Sequence, residues 1–212
     1  MKNLLESHLR QLCQKHFSDV KIDVHLQQKK FADYSWDGLC HWAQEFDGDV
    51  IQFTKIICQA LLTQKGVKSV RIEKPCHLNI DVDASIRYGL IFHRIVEQPL
   101  LLKQPLTSHQ QNIEYALMRL QSISEQLSFE MTPIYPLTLK NEEKKILNCL
   151  DELLCALQED NVDKIAWQLN HLANHIHGYL RVITLLCEDK IKCQFQIQLL
   201  KLCELMLNRR LA

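Results

Sequence analysis

Apolar residues recur at intervals of three and four over most of this chain, and at intervals of two over a short early part of it. Residues 2–16 place Leu4, Leu5, Leu9, Leu12 and Cys13 on one stripe, which predicts an amphipathic helix. Val20–Leu26 alternates apolar and polar and reads as a half-buried strand. Trp36 to Phe46 reads as a short helix. Asp49 suits the N-cap of the next one, whose stripe is Ile51, Phe53, Ile56, Ile57, Ala60 and Leu61, and Gly66 ends it. Two strands follow, Lys68–Glu73 and His77–Asp83, with a turn at Lys74-Pro75. In the second, Leu78, Ile80 and Val82 share one face, and His77, Asn79, Asp81 and Asp83 share the other.

Period-two patterning then stops. Arg87–Val96 fits a strand or a helix, and Pro99, Pro105 and the Leu100–Leu102 run mark a boundary. From Ser108 onward the spacing is helical: Asn112–Phe129, then Asn141 to about Leu157 with Glu142 and Glu143 at its positive end, then Asn161–Cys187 and Lys192–Leu211. The fold class that follows is α+β. A small α/β domain over residues 1–86 precedes a linker with one ordered element, 87–110, and an all-α bundle, 111–212.

Composition narrows the function. Glycine and proline number five each, which favours helix over a turn-rich β architecture. No apolar run reaches the ~20 residues that span a bilayer, so no membrane partner is expected. Met1–His8 carries polar and acidic groups where a signal peptide needs an apolar stretch, so a cytoplasmic protein is expected. Nine cysteines are scattered without a CxxC pair, and Cys13, Cys58, Cys149, Cys155 and Cys203 fall on apolar faces. They read as small hydrophobes and not as disulfides or zinc ligands. Formal net charge is zero, which disfavours non-specific nucleic-acid binding; Lys190, Lys192, Lys201, Arg209 and Arg210 form the most basic stretch.

His171, His175 and His177 form the one cluster that invites catalytic or metal chemistry. His171 and His175 lie one turn apart, but His177 falls on another face and no acid completes a zinc-protease motif, so a helix-surface role is preferred and no metal is expected. There is no GxGxxG and no P-loop, and no nucleotide cofactor is expected.

Two blocks carry a resemblance to a known family. The first runs from Phe31-Ala-Asp-Tyr34 to Lys74-Pro-Cys-His-Leu-Asn-Ile80, and the second from Tyr115-Ala-Leu-Met-Arg-Leu-Gln-Ser-Ile123 through Leu172-Ala-Asn-His-Ile-His-Gly-Tyr179. The first resembles the N-terminal tRNA-binding domain of arginyl-tRNA synthetases, with alanine for the glycine of Phe-Gly-Asp-Tyr/Phe and histidine for the aromatic of the strand entry. The second resembles their DALR-type anticodon-binding domain. In that family a catalytic domain lies between; here residues 81–114 do, without the His-Ile-Gly-His and Lys-Met-Ser-Lys signatures that bind ATP. The resemblance implies D-loop contacts from His77 and Asn79, with Phe31 and Tyr34 in the same motif set. It implies anticodon-arm contacts from Tyr115, Arg119, His177 and Tyr179, with Arg209 and Arg210 in the basic terminus. The family's terminal Pro-x-x-Met has no counterpart in Arg209-Arg210-Leu211-Ala212.

The expected function is therefore a non-catalytic tRNA-binding protein that delivers, sequesters or presents tRNA, arginine tRNA included, to a modifying enzyme or a synthetase. The alternatives are a protein-interaction module that has lost tRNA binding, and the tRNA-binding piece of a split arginyl-tRNA synthetase.

Overall fold

The computed structural model describes residues 1–16, 23–29, 32–38, 50–73, 77–97, 110–127, 133–135, 138–183 and 189–208. The chain divides into two packed units, Met1–Asp83 and Ala84–Ala212. The first holds α1 (Lys2–His16), β1 (Gln27–Lys29), β2 (Ala32–Trp36), α2 (Val50–Leu62), β3 (Val67–Glu73) and β4 (His77–Val82). Its four strands pair antiparallel in the order β1-β2-β4-β3. The architecture is the α+β arrangement expected, a small sheet unit followed by a helical bundle.

Helix α1 buries Leu5, Leu9 and Cys13 as its spacing requires, but Leu4 points outward at 53% exposure and Glu6 points inward. Glu6 is bonded there: its Oε1 accepts the Leu26 backbone N–H at 2.8 Å, while Arg10 Nη2 donates to the Val24 carbonyl at 2.9 Å. These bonds explain a departure from the expected Val20–Leu26 strand. Residues 23–26 alternate exposed and buried as predicted, yet they form no ladder, and α1 side chains satisfy these two backbone groups instead. Residues 20–22 lie outside the described residues, and the ladder begins at Gln27.

A second departure concerns Trp36, expected to open a helix. It ends β2, where Tyr34 faces Ile80 and Trp36 faces Leu78 across the β2–β4 pair. Both aromatics are fully buried. Cross-strand packing of aromatic on aliphatic side chains outweighs the local helical pattern. The remainder of that expected helix, 39–46, lies outside the described residues, as does the expected cap Asp49. Gly66 adopts φ 92, a conformation that costs other residues, and its carbonyl accepts from Asp83 N–H at 2.7 Å where β3 and β4 meet.

The second unit holds α3 (Ala84–Glu97), α4 (Gln110–Gln126), α5 (Asn141–Glu159), α6 (Val162–Val182) and α7 (Lys190–Asn208). The ordered element expected between the domains is α3. Its Tyr88, Ile91, Phe92 and Ile95 join one core with side chains from all four other helices. Helices α5 and α6 form a tight hairpin. Asp160 takes a left-handed conformation at φ 54, and the Asn161 side chain then caps α6 by accepting Lys164 N–H at 3.0 Å.

Polar groups buried in this core bond to one another. Tyr88 Oη donates to Gln198 Oε1 at 2.9 Å, and that oxygen also accepts Ile134 N–H at 2.9 Å. Arg87 and Asp151 pair at 3.3 Å with both side chains almost wholly buried. Glu143 accepts the Lys140 N–H at 2.7 Å through Oε2 and the Tyr179 hydroxyl at 3.0 Å through Oε1. Among the described residues, Cys13, Cys58, Cys149 and Cys203 are free thiols, and burial pushes Cys13 and Cys149 up to about 12. Among the described residues no helix is long and apolar enough to cross a membrane.

Candidate functional site

In the first unit, the polar face of the sheet is built as the alternation predicts. Across β4, His77 faces Glu73, Asn79 lies between Ser35 on β2 and Arg71 on β3, and Asp81 faces Ser69. Asp81 Oδ2 accepts from Ser69 Oγ at 2.7 Å and from Arg71 Nη2 at 2.8 Å, which fixes that end of the face. Asp33, in the Phe31–Tyr34 motif, is structural, because its Oδ2 accepts the Val82 N–H at 2.9 Å.

The expected D-loop residues do not form one open surface. His77 is half-buried, whereas Tyr34 and Asn79 are fully buried, and Phe31 lies outside the described residues. Tyr34 belongs to the core. Neither amide atom of Asn79 meets a hydrogen-bond partner among the described residues, an arrangement that typically costs ~1–3 kcal/mol. A base edge reaches this amide only if the structure around it opens.

The second unit presents a different picture. Helices α4 and α6 advance side by side, with their apolar stripes in the core and a row of polar side chains meeting above the seam. Asn112 stands at the centre. Its Nδ2 donates to Asn170 Oδ1 at 2.7 Å and to Asn174 Oδ1 at 3.1 Å, and its Oδ1 contacts His177 Nε2 at 3.1 Å. With Nδ2 supplying the N–H groups, Oδ1 is the acceptor, so His177 donates from Nε2 and carries its lone pair on Nδ1. That Nδ1 is buried and meets no partner among the described residues. The Tyr115 ring lies against the His177 ring, centroids 5.1 Å apart and planes tilted by 35°.

One turn further along each helix, Arg119 and Arg181 complete a cavity of about 500 Å³ over the seam. Gly178 lines it, and a Cβ there would meet nothing within 4 Å. Its absence of side chain therefore serves no close packing; it leaves the cavity open. Burial first, and then the two guanidinium groups, hold the His177 imidazole below its ordinary value, against an opposing pull from Asn112. The imidazole thus favours its neutral form. A cavity with an exposed tyrosine, an imidazole, two carboxamides and two guanidinium groups suits a flat ring that carries hydrogen-bonding edges and a phosphate.

Three of the expected anticodon-arm residues, Tyr115, Arg119 and His177, come together here. Tyr179 does not: it is fully buried against Glu143, and burial pushes its hydroxyl far above the usual range. Arg209 and Arg210 lie outside the described residues. Sequence reasoning missed Asn112, Asn170, Asn174 and Arg181. Their signal was present, because 170, 174, 177 and 181 follow helical spacing on a polar stripe of α6 beside the buried one that holds Leu172, Ala173 and Ile176.

The histidine cluster also resolves. His171 and His175 do not line this cavity; they follow Trp167 along α6, with the Trp167 and His171 rings 3.9 Å apart and those of His171 and His175 6.2 Å apart. Among the described residues no group of three metal-ligating side chains occurs.

Comparison with known proteins bears on the first unit. Residues 1–82 match the family model described as the arginyl tRNA synthetase N terminal domain. The first unit is thus an arginyl-tRNA synthetase-related N-terminal domain. No curated protein and no solved structure matches the chain.

Proposed function

We propose that this chain binds tRNA without aminoacylating it, holding single-stranded nucleotides in the α4–α6 cavity. The observation that carries the reading is the convergence of Tyr115, Arg119 and His177 on one cavity. These three were singled out by resemblance to an anticodon-binding helix pair, and an N-terminal unit of synthetase type precedes them. Single-stranded RNA is read by stacking and by hydrogen bonds to base edges, which the Tyr115 ring and the carboxamides supply. Arg119 and Arg181 supply charge-assisted contacts to phosphate. The absence of ATP-binding signatures between the two units supports a role in presenting tRNA to another enzyme.

The test is equilibrium binding of total tRNA over a tenfold range of salt. Saturable binding at low salt is expected, and Arg119→Ala or Arg181→Ala should each flatten the salt slope by about 0.7, the value for one neutralised phosphate of a single strand. Absence of saturable binding, or an affinity indifferent to Tyr115, Arg119 and Arg181 together, would overturn the reading. The second reading is a protein-interaction module, which zero net charge and the exposed Tyr115 and Met118 favour. Purification with a stoichiometric protein and no RNA would select it.

A further inference from the structure

Helix α6 carries a second feature that the cavity does not use. Trp167 is 55% exposed, although indole is among the side chains with most to gain from burial. It is not loose: His171, one turn on, packs against its ring at 3.9 Å with the planes 38° apart, and His175 continues the row. Three rings at i, i+4 and i+8 thus stand in file along the outer face of one helix, each step advancing ~6 Å.

The file runs beside the cavity stripe of the same helix. Asn174 and Gly178, which line it, follow His171 and His175 on the adjoining stripe, and Arg181 closes the far end. Beside the file, Asn170 and Asn174 give their Oδ1 atoms to Asn112, and their amide N–H groups meet no other partner among the described residues. Lys145 on α5 lies close enough to act on His175. A strand of nucleotides finds ring faces to stack on, amide donors beside them and cations at the end.

The geometry points to a second stacking subsite at Trp167–His171–His175 for nucleotides that continue the strand held in the α4–α6 cavity. This rests on the single-stranded RNA reading and extends it from one nucleotide to several. From Trp167 to Gly178 the helix rises ~16 Å, which matches roughly five stacked nucleotides at 3.4 Å each.

The experiment compares a mixed-sequence RNA pentamer with adenosine monophosphate, using the full chain and its Trp167→Ala, Trp167→Phe and Tyr115→Ala variants. Trp167→Ala should weaken the pentamer by about 5- to 140-fold, the range for losing one stacked base, and leave the mononucleotide within about twofold. The pentamer should quench indole emission in the parent chain but not in Trp167→Phe. Tyr115→Ala should weaken both ligands. Unchanged pentamer affinity in Trp167→Ala, with Tyr115→Ala still weakened, would overturn the subsite and leave the cavity reading standing. Failure of the parent chain to bind the pentamer would remove both.

Discussion

Tyr179→Phe separates a structural tyrosine from a recognition tyrosine. Family resemblance placed Tyr179 on the anticodon-facing surface; its hydroxyl instead donates to Glu143 Oε1 at 3.0 Å in a fully buried site. Glu143 ties the start of α5 to α6 through this bond and to α7 through Gln196, at a longer 3.5 Å. Removing the hydroxyl leaves a buried carboxylate with the Lys140 N–H and that long contact. A hydrogen bond to a charged group is worth about 1.5–3 kcal/mol, and the buried acceptor left behind keeps the loss near the upper end. For a unit the size of Ala84–Ala212, about 2–3 kcal/mol lowers the melting midpoint by roughly 6–12 °C. RNA affinity should stay within about twofold, because the hydroxyl faces away from the cavity. Tyr115→Ala should do the reverse. Its ring is 54% exposed, so stability should shift by no more than about 0.5 kcal/mol, while affinity falls by the ~1–3 kcal/mol of a lost stacked base. Differential scanning calorimetry and fluorescence anisotropy on the two variants decide the matter. A Tyr179→Phe protein with an unchanged midpoint and a tenfold loss of RNA affinity would refute the structural assignment.

Gly178→Ala should stabilise α6 by about 0.5–1 kcal/mol, since helical glycine is costly and the added Cβ meets nothing within 4 Å; Gly178→Leu should fill the cavity and weaken RNA binding at least tenfold, and thermal melts with binding isotherms check both. Lowering pH should strengthen binding: burial and then the two arginines hold His177 below the ordinary 6.5, and a phosphate that offsets Arg119 and Arg181 raises it, so the complex takes up protons. The free chain responds oppositely, because folded His177 binds fewer protons than the unfolded chain, and stability falls as pH drops below about 6.5. Affinity that is flat or falling between about pH 7 and 5.5, with the His177→Gln variant as control, would contradict this linkage.

Helices were legible wherever apolar spacing persisted for several turns, as in α5 with Ile146, Leu147, Leu150, Leu153 and Leu154 all buried. The sheet was harder, because its order depends on partners distant in sequence. β2 gains its state from β4, and nothing local to Ala32–Trp36 announces that Tyr34 will face Ile80. Residues 23–26 show the limit most clearly. Alternation correctly gives which side chains are buried, but whether the backbone joins a ladder depends on Glu6 and Arg10 in a preceding helix. At the site, motif matching found Tyr115, Arg119 and His177 because they sit in the most recognisable words of the sequence. It mistook Tyr179 for a neighbour because residues 177 and 179 lie two apart, about 200° around a helix. Arg181, four residues from His177, shares its face and was legible from spacing alone.

Zero net charge, which argued against a nucleic-acid ligand, weakens once charges are assigned to partners. Arg87 pairs with Asp151, Arg71 with Asp81, Lys164 with Glu159 and Lys201 with Glu204, so these pairs cancel internally. Arg119 and Arg181 form no ion pair among the described residues, and both line one cavity. Net charge measures the sum, whereas a phosphate samples the local field within a Debye length of ~8 Å. Two uncompensated guanidinium groups are still few. They support a salt slope near −1.4 on a single strand, far shallower than that of a protein that grips duplex backbone through six to ten phosphates. On the proposed RNA-binding reading, most of the affinity comes from contacts that salt does not screen, namely the faces of Tyr115, His177 and the Trp167 file. The same reading has this surface discriminate unstacked loop nucleotides from paired ones, since a base inside a helix offers no face to stack on. A perfect RNA duplex should therefore compete at least tenfold more weakly than a single strand of the same sequence, and equal competition would mean that charge, not stacking, holds the ligand.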